Sequence, residues 1–215
     1  MRKKLMSYLL MTFLLMTTLS GCAGGTGESS GDNSSTEPMN DGSVKESVYG
    51  GSVVVGIQQD IDSLDPHKAT AAGTKEILFN IFEGLVKPDE NGNLMNAVAS
   101  DCKISEDGLV YTFTLRENVK FHNGNVVTAE DVEYSLKRAS GLLDGTPLIS
   151  ALSAITSVDI INPKTVRVTV GSANTELIYS FVAAIIPKGS GEDANADPVG
   201  TGPFSFVSYA PQEGI

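Results

Sequence analysis

Between Asp107 and Arg138 the chain reads DGLVYTFTLRENVKFHNGNVVTAEDVEYSLKR, a run in which almost every residue has a readable structural task. Val110 to Leu115 alternates in period two, so Tyr111, Phe113 and Leu115 share one face and the threonines the other, as a half-buried strand requires. Asp107-Gly108 marks a turn before it. After Arg116, Val119 and Phe121 share a face, Asn123-Gly124 supplies residues that tolerate positive φ, and Val126-Val127 resumes the extended chain, which predicts a hairpin. Thr128-Ala129-Glu130-Asp131 then opens a helix with a reciprocal cap: the Thr128 hydroxyl accepts an orphan N–H and the Asp131 carboxylate reaches back. Ala129, Val132, Leu136 and Ala139 form the apolar stripe, Lys137 and Arg138 suit the negative end of the dipole, and Gly141 ends the helix.

The N-terminus sets the compartment. Arg2, Lys3 and Lys4 precede an apolar stretch from Leu5 to Leu19, too short for a stable membrane span and suited to a secretory signal over residues 1–21. Leu19-Ser20-Gly21-Cys22 resembles a bacterial lipobox, which implies cleavage before Cys22 and a diacylglyceryl group on its thiol. Such an anchor holds firmly with more than one acyl chain, each buried methylene adding about 0.8 kcal/mol. Removing the three basic leader residues takes the formal charge from −11 to −14, which argues against nucleic acid as a partner and against attraction to anionic head groups. Residues 22–50 are rich in Gly, Ser, Asn and acids and predict a flexible tether. With Cys22 lipidated, Cys102 is the only remaining thiol, so no intrachain disulfide is available; it is expected to behave as a small buried hydrophobe.

Further along, Ser52 to Ile57 predicts a buried first strand, followed by the loop Asp60 to His67 and a helix over about Thr74 to Phe82 ended by Gly84. Leu85-Val86-Lys87 and Asn93-Leu94-Met95 flank the turn-rich Pro88 to Gly92 and predict a second hairpin. A short helix near Pro147 to Ala154, strands over Ile155–Ile161 and Thr165–Val170, and a helix near Thr175 to Val182 complete an α+β pattern.

The ordered set of SLDPHK at Ser63 to Lys68, FEGL at Phe82 to Leu85, the Asp107–Arg138 run, IIPK at Ile185 to Lys188 and GTGPF at Gly200 to Phe204 closely resembles the extracellular solute-binding proteins of the oligopeptide, dipeptide and nickel family (family 5), which serve ABC importers. Asn123 stands where that pattern usually has Asp. The resemblance implies a two-lobed, clamshell-like periplasmic-binding-protein fold of type 2, α+β with α/β character. Residues 51–215 would supply its N-terminal portion: the start of lobe one, an appended subdomain and the return to lobe one at GTGPF. It implies a non-enzymatic module that captures a peptide or similar small solute and delivers it to permease subunits outside the cell membrane.

By the same resemblance, the loop after SLDPHK lines the cleft, nominating Thr70 and Ala72, and the start of the helix after the long run nominates Leu148. Family members run much longer than Ile215, so an incomplete cleft is expected. A truncated, non-binding fragment or interaction protein, a nickel-binding member and a lipoprotein enzyme remain as alternatives. His67 and His122, the only imidazoles, lack metal-ligand spacing and suit structural roles. Gly200-Thr201-Gly202-Pro203 lacks the Lys-Ser/Thr of a P-loop, no Ser-His-Asp motif is recognisable, and no cofactor or metal is expected. Asp62 and Asp65-Pro66 suit turn formation.

Overall fold

The computed structural model describes residues 50–215, and the elements below all belong to the unit Val53–Ile215. The leader, Cys22 and most of the tether lie outside the described residues. In chain order the elements are α1 (Ala72–Ile81), β1 (Val86–Pro88), β2 (Leu94–Asn96), β3 (Ala99–Ile104), β4 (Val110–Leu115), α2 (Ala129–Ser140), β5 (Ile155–Asn162) and β6 (Thr165–Val170). No helix among them is long and apolar enough to cross a membrane.

β1 and β2 pair antiparallel as a two-stranded hairpin, and the other strands form a four-stranded antiparallel sheet of order β3-β4-β6-β5. Tyr111 lies opposite Val168 and Phe113 opposite Val166, so the inward residues of β4 and β6 meet in one register. The face they build packs under α2, whose Ala129, Val132, Leu136 and Ala139 are fully buried as the stripe requires. Phe181 closes this core against Tyr111 and Phe113, with ring centroids at 5.3 and 4.8 Å. Each such large apolar side chain contributes roughly 1.5–3 kcal/mol by leaving water. A second, smaller cluster joins Leu64, Ala69, Leu78, Ile81, Phe82, Ala184 and Ile186.

The α2 caps form as the residues dictate. Thr128 Oγ1 accepts from Asp131 N–H, Asp131 Oδ2 accepts from Thr128 N–H, and Gly141 takes the left-handed conformation at φ 83°. In the preceding turn the left-handed residue is Gly124 alone, and Asn123 instead accepts from Asn125 N–H; the hairpin is pinned by a single bridge, Lys120 with Val126.

Several segments depart from expectation. Ser52–Ile57 is not a buried strand: Val53, Val54 and Val55 are exposed, because a strand exists only by pairing and no neighbouring strand stands beside them among the described residues. The predicted helix near Pro147 begins only at Ser150 and is a 3-10 turn to Ala154, too short for a stable α ladder. Thr175–Val182 is likewise 3-10, capped by Asn174 accepting from Glu176 N–H. Cys102, on the edge strand β3, is half-buried rather than interior.

Candidate functional site

The loop Asp60–Ala71 and the N-terminus of α1 are where the nominated residues Thr70 and Ala72 fall. A single carboxylate shapes this loop. Asp62 Oδ2 accepts from the Thr70 N–H at 2.8 Å, the Thr70 hydroxyl at 2.6 Å and the Ala71 N–H at 3.0 Å, while Asp62 N–H donates to Thr74 Oγ1. The Thr70 and Thr74 hydroxyls, with the backbone N–H groups of Thr70 and Ala71, hold the Asp62 carboxyl far below the usual carboxylate range. Thr70 and Ala72 are both exposed, and Ala72 opens α1 with no side-chain cap at Ala71. Thr70 therefore presents its methyl and its carbonyl more readily than its hydroxyl or its N–H, both of which already donate to Asp62.

Beneath the loop lies a buried polar joint. Arg138 Nη1 donates to Asp65 Oδ1 at 3.1 Å and to His67 Nδ1 at 2.8 Å; Nη2 donates to Asp65 Oδ2 at 2.6 Å and to the Gly191 carbonyl at 3.0 Å. Asp65 is 1% exposed, His67 2% and Arg138 8%. Because a guanidinium only donates, His67 Nδ1 must accept, which places the ring proton on Nε2, where it donates to the Ala184 carbonyl at 2.8 Å. Burial, and then the Arg138 charge, hold His67 down at about 4 against the upward pull of the Ala184 carbonyl and Asp65. Burial is the largest influence on Asp65 and pushes it up, but the Arg138 bonds and charge and the His67 N–H outweigh it and leave the carboxyl below its ordinary value.

Arg138 belongs to a polar stripe on α2, offset from the apolar one, that ties down the segment after Ile185. Asp131 Oδ1 accepts from Lys188 N–H, Ser135 Oγ accepts from Ile186 N–H, and Tyr134 Oη accepts from Gly191 N–H. Neighbouring Asn195 accepts from the Leu64 N–H at 2.8 Å and from Ser63 Oγ. Ile61, Ser63, Leu64, Asn195, Phe206 and Tyr209 line an open concavity of about 340 Å³ there. Thr70, Ala72 and Leu148 are not among its lining residues, although Asp62, which holds Thr70, is. Leu148 lies beyond the C-terminal end of α2, half-buried, with its N–H on the Ala139 carbonyl.

His122 forms a second joint. Its Nδ1 accepts from the Gly200 N–H at 3.3 Å and its Nε2 donates to the Gly202 carbonyl at 2.9 Å, stapling the GTGPF segment to the hairpin. Gly200 and Gly202 also lie against the Ile81 and Asn80 carbonyls at the end of α1, so close that a Cβ at either would collide with backbone. Both imidazoles thus hold chain segments together, and no group of three or more His, Cys, Asp or Glu among the described residues is placed to hold a metal ion.

Residues 93–215 match the family described as bacterial extracellular solute-binding proteins, family 5 Middle, and the chain belongs to that family, whose members are transport components rather than enzymes. The glutathione-binding protein GsiB of Salmonella typhi is 29% identical over 164 residues, covering 73% of this chain and 32% of its own. GsiB of Escherichia coli O1:K1 is 30% identical over 164 residues with the same coverage. Among solved structures, NikZ from Campylobacter jejuni in complex with Ni(L-His) superposes with a TM-score of 0.64 at 27% identity, over 72% of this chain and 32% of that one. DppA from Helicobacter pylori in complex with the peptide STSA gives 0.62 at 26% identity, over 70% and 35%. These neighbours are two-lobed periplasmic binding proteins, and the chain spans about a third of the length of the relatives it matches.

Proposed function

We propose that this chain serves as the substrate-capturing part of an ABC importer, taking a peptide or similar small solute outside the membrane and passing it to permease subunits. The observation that carries the reading is the family match over residues 93–215, joined to relatives whose names and bound molecules are glutathione and a peptide. Residues 1–21 act as the leader, lipid on Cys22 is the anchor, residues 22–50 are the tether and residues 51–215 form the binding portion. Thr70 and Ala72, on a loop preset by Asp62, contribute main-chain and methyl contacts to the solute, and Leu148 an apolar one. Binding energy would favour lobe closure, and the permease would read the closed state.

Differential scanning calorimetry of the purified chain with glutathione, a dipeptide pool and Ni(L-His) tests the reading. Stabilisation that grows with peptide or glutathione concentration supports it, while a response to Ni(L-His) alone overturns it in favour of a metal carrier. In cells, Cys22→Ser should move the protein from the membrane fraction to the soluble one; retention at the membrane would refute the lipid anchor. The exposure of Val53, Val54, Val55, Phe204 and Val207 favours a second reading, an interaction protein that captures nothing by itself. No stabilisation by any of these solutes would count against capture by this chain alone and favour that reading or a non-binding fragment.

A further inference from the structure

The loop that carries Thr70 and the start of α1 is fastened to α2 through the Asp65–Arg138 pair and through one imidazole whose Nδ1 accepts from the same guanidinium. We propose that His67 is a latch: its neutral ring locks the Asp60–Ala71 loop onto α2, and its protonation releases that loop while the four-stranded sheet stays folded. Four observations carry this. The Arg138 guanidinium aims Nη1–H at His67 Nδ1 from 2.8 Å, so a proton on Nδ1 would set two donors against each other. The opposite ring nitrogen is committed to the Ala184 carbonyl, so flipping the ring offers no escape. The same guanidinium holds Asp65, whose backbone carbonyl accepts from the Lys68 and Ala69 N–H groups and whose Oδ1 accepts from the His67 N–H. Displacing Arg138 therefore loosens the turn that leads directly into Thr70. The sheet has its own core, centred on Tyr111, Phe113 and Phe181, distinct from the cluster of Leu64, Ala69 and Leu78 that lies with the loop.

The charged and titratable groups facing the ring are few. Asp65 and Arg138 touch it or its turn, and Lys68 lies 3.6 Å from Asp65 and is half exposed. The segment 184–191 presents only the Ala184 and Gly191 carbonyls, with Tyr134 Oη on the Gly191 N–H. None supplies a counter-charge that would favour imidazolium without giving up the Asp65–Arg138 pair. The direction of the effect follows. The folded ring titrates at about 4 and a free one at 6.5, so acidification below 6.5 favours the released loop progressively down to about 4. Asp62 and Asp65 both titrate below their ordinary range, which keeps them ionised at pH 4.5 and separates their effect from that of His67.

Hydrogen exchange of the full chain between pH 7 and 4.5, corrected for intrinsic rates, decides the matter. The amides of Lys68, Ala69, Thr70 and Ala71 should lose protection on the order of fifty-fold relative to those of β4, as the two titration points require. In His67→Gln, whose amide can accept from Arg138 and donate to Ala184 but cannot titrate, loop protection should stay constant over that range. Equal loss in wild type and His67→Gln, parallel loss in β4, or no loss at all would overturn the latch. Imidazole 15N shifts of the wild type, which need no variant to fold, give an independent decision. His67 protonation and loop release must share one midpoint, and separate midpoints would overturn the proposal. The readout is the loop itself, so the latch stands or falls apart from solute binding.

Discussion

Replacing Arg138 with Met keeps much of the side-chain volume and removes the buried cation that holds both oxygens of Asp65, leaving only the half-exposed Lys68 at 3.6 Å. Asp65 is 1% exposed, so its carboxylate would be left buried without its guanidinium partner or driven to take up a proton. Breaking a buried pair by deleting one partner costs about 3–5 kcal/mol. The bonds to the Gly191 carbonyl and His67 Nδ1 go with it, which favours the upper half of that range. For a folded unit of this size, each kcal/mol lowers Tm by about 2–4 °C, so the drop should be on the order of 10–20 °C. Far-UV circular dichroism is the suitable probe in a chain without Trp. Combining Asp65→Leu with Arg138→Met removes both charges and should recover most of the loss, since well-packed apolar substitutes for a buried pair are often neutral. Lys164→Ala, which breaks the exposed pair with Glu117, is the control, expected to move Tm little, because exposed ion pairs contribute little to stability. If Arg138→Met costs no more than Lys164→Ala, or the double change is as damaging as the single one, the joint is not the structural anchor described here.

Gly200→Ala should destabilise by more than about 2 kcal/mol in urea titration, because the new Cβ meets the Ile81 carbonyl, a backbone atom that cannot rotate away; a change under 0.5 kcal/mol would show that the segment shifts freely. Thr201→Val should be neutral or raise Tm, since Thr201 Oγ1 is the buried side-chain oxygen that lacks a hydrogen-bond partner among the described residues; a loss above about 1 kcal/mol would mean that the hydroxyl is satisfied. Cys102, its thiol pushed up to about 11 by burial and then by Asp101, should react with a disulfide reagent at pH 8 more than tenfold slower in the folded than in the urea-unfolded Cys22→Ser chain; equal rates would refute that environment.

What could be read from the sequence was local. β4 and α2 follow from alternation, a capping box and a terminal glycine, all signals contained within a few residues. Arg138 shows where such reading stops. Its place in the last turn of α2 suits the helix dipole, yet its charge serves Asp65, 73 residues earlier in the chain. The second stripe on α2, Asp131, Tyr134, Ser135 and Arg138, has helical spacing and could have been noticed, but its partners are backbone groups of Ile186–Gly191, which carry no side-chain signature. His122 meets Gly202 80 residues away for the same reason. The Val53–Ile57 segment reads as a strand because β-branched residues favour pleated surfaces, but propensity supplies no pairing partner. Asp62 was legible as a turn former, and the structure adds that it presets Thr70 and Ala71 at the head of α1.

The central claim is that a peptide-like solute is taken up at the Thr70–Ala72 loop. A titration of the 15N-labelled chain with glutathione and with a dipeptide pool, followed by amide shifts, tests it most directly. The account predicts saturable shifts at Thr70, Ala71 and Ala72 that weaken in Asp62→Ala while the β4 amides stay still. Shifts confined to other segments, or none at millimolar solute, would contradict it.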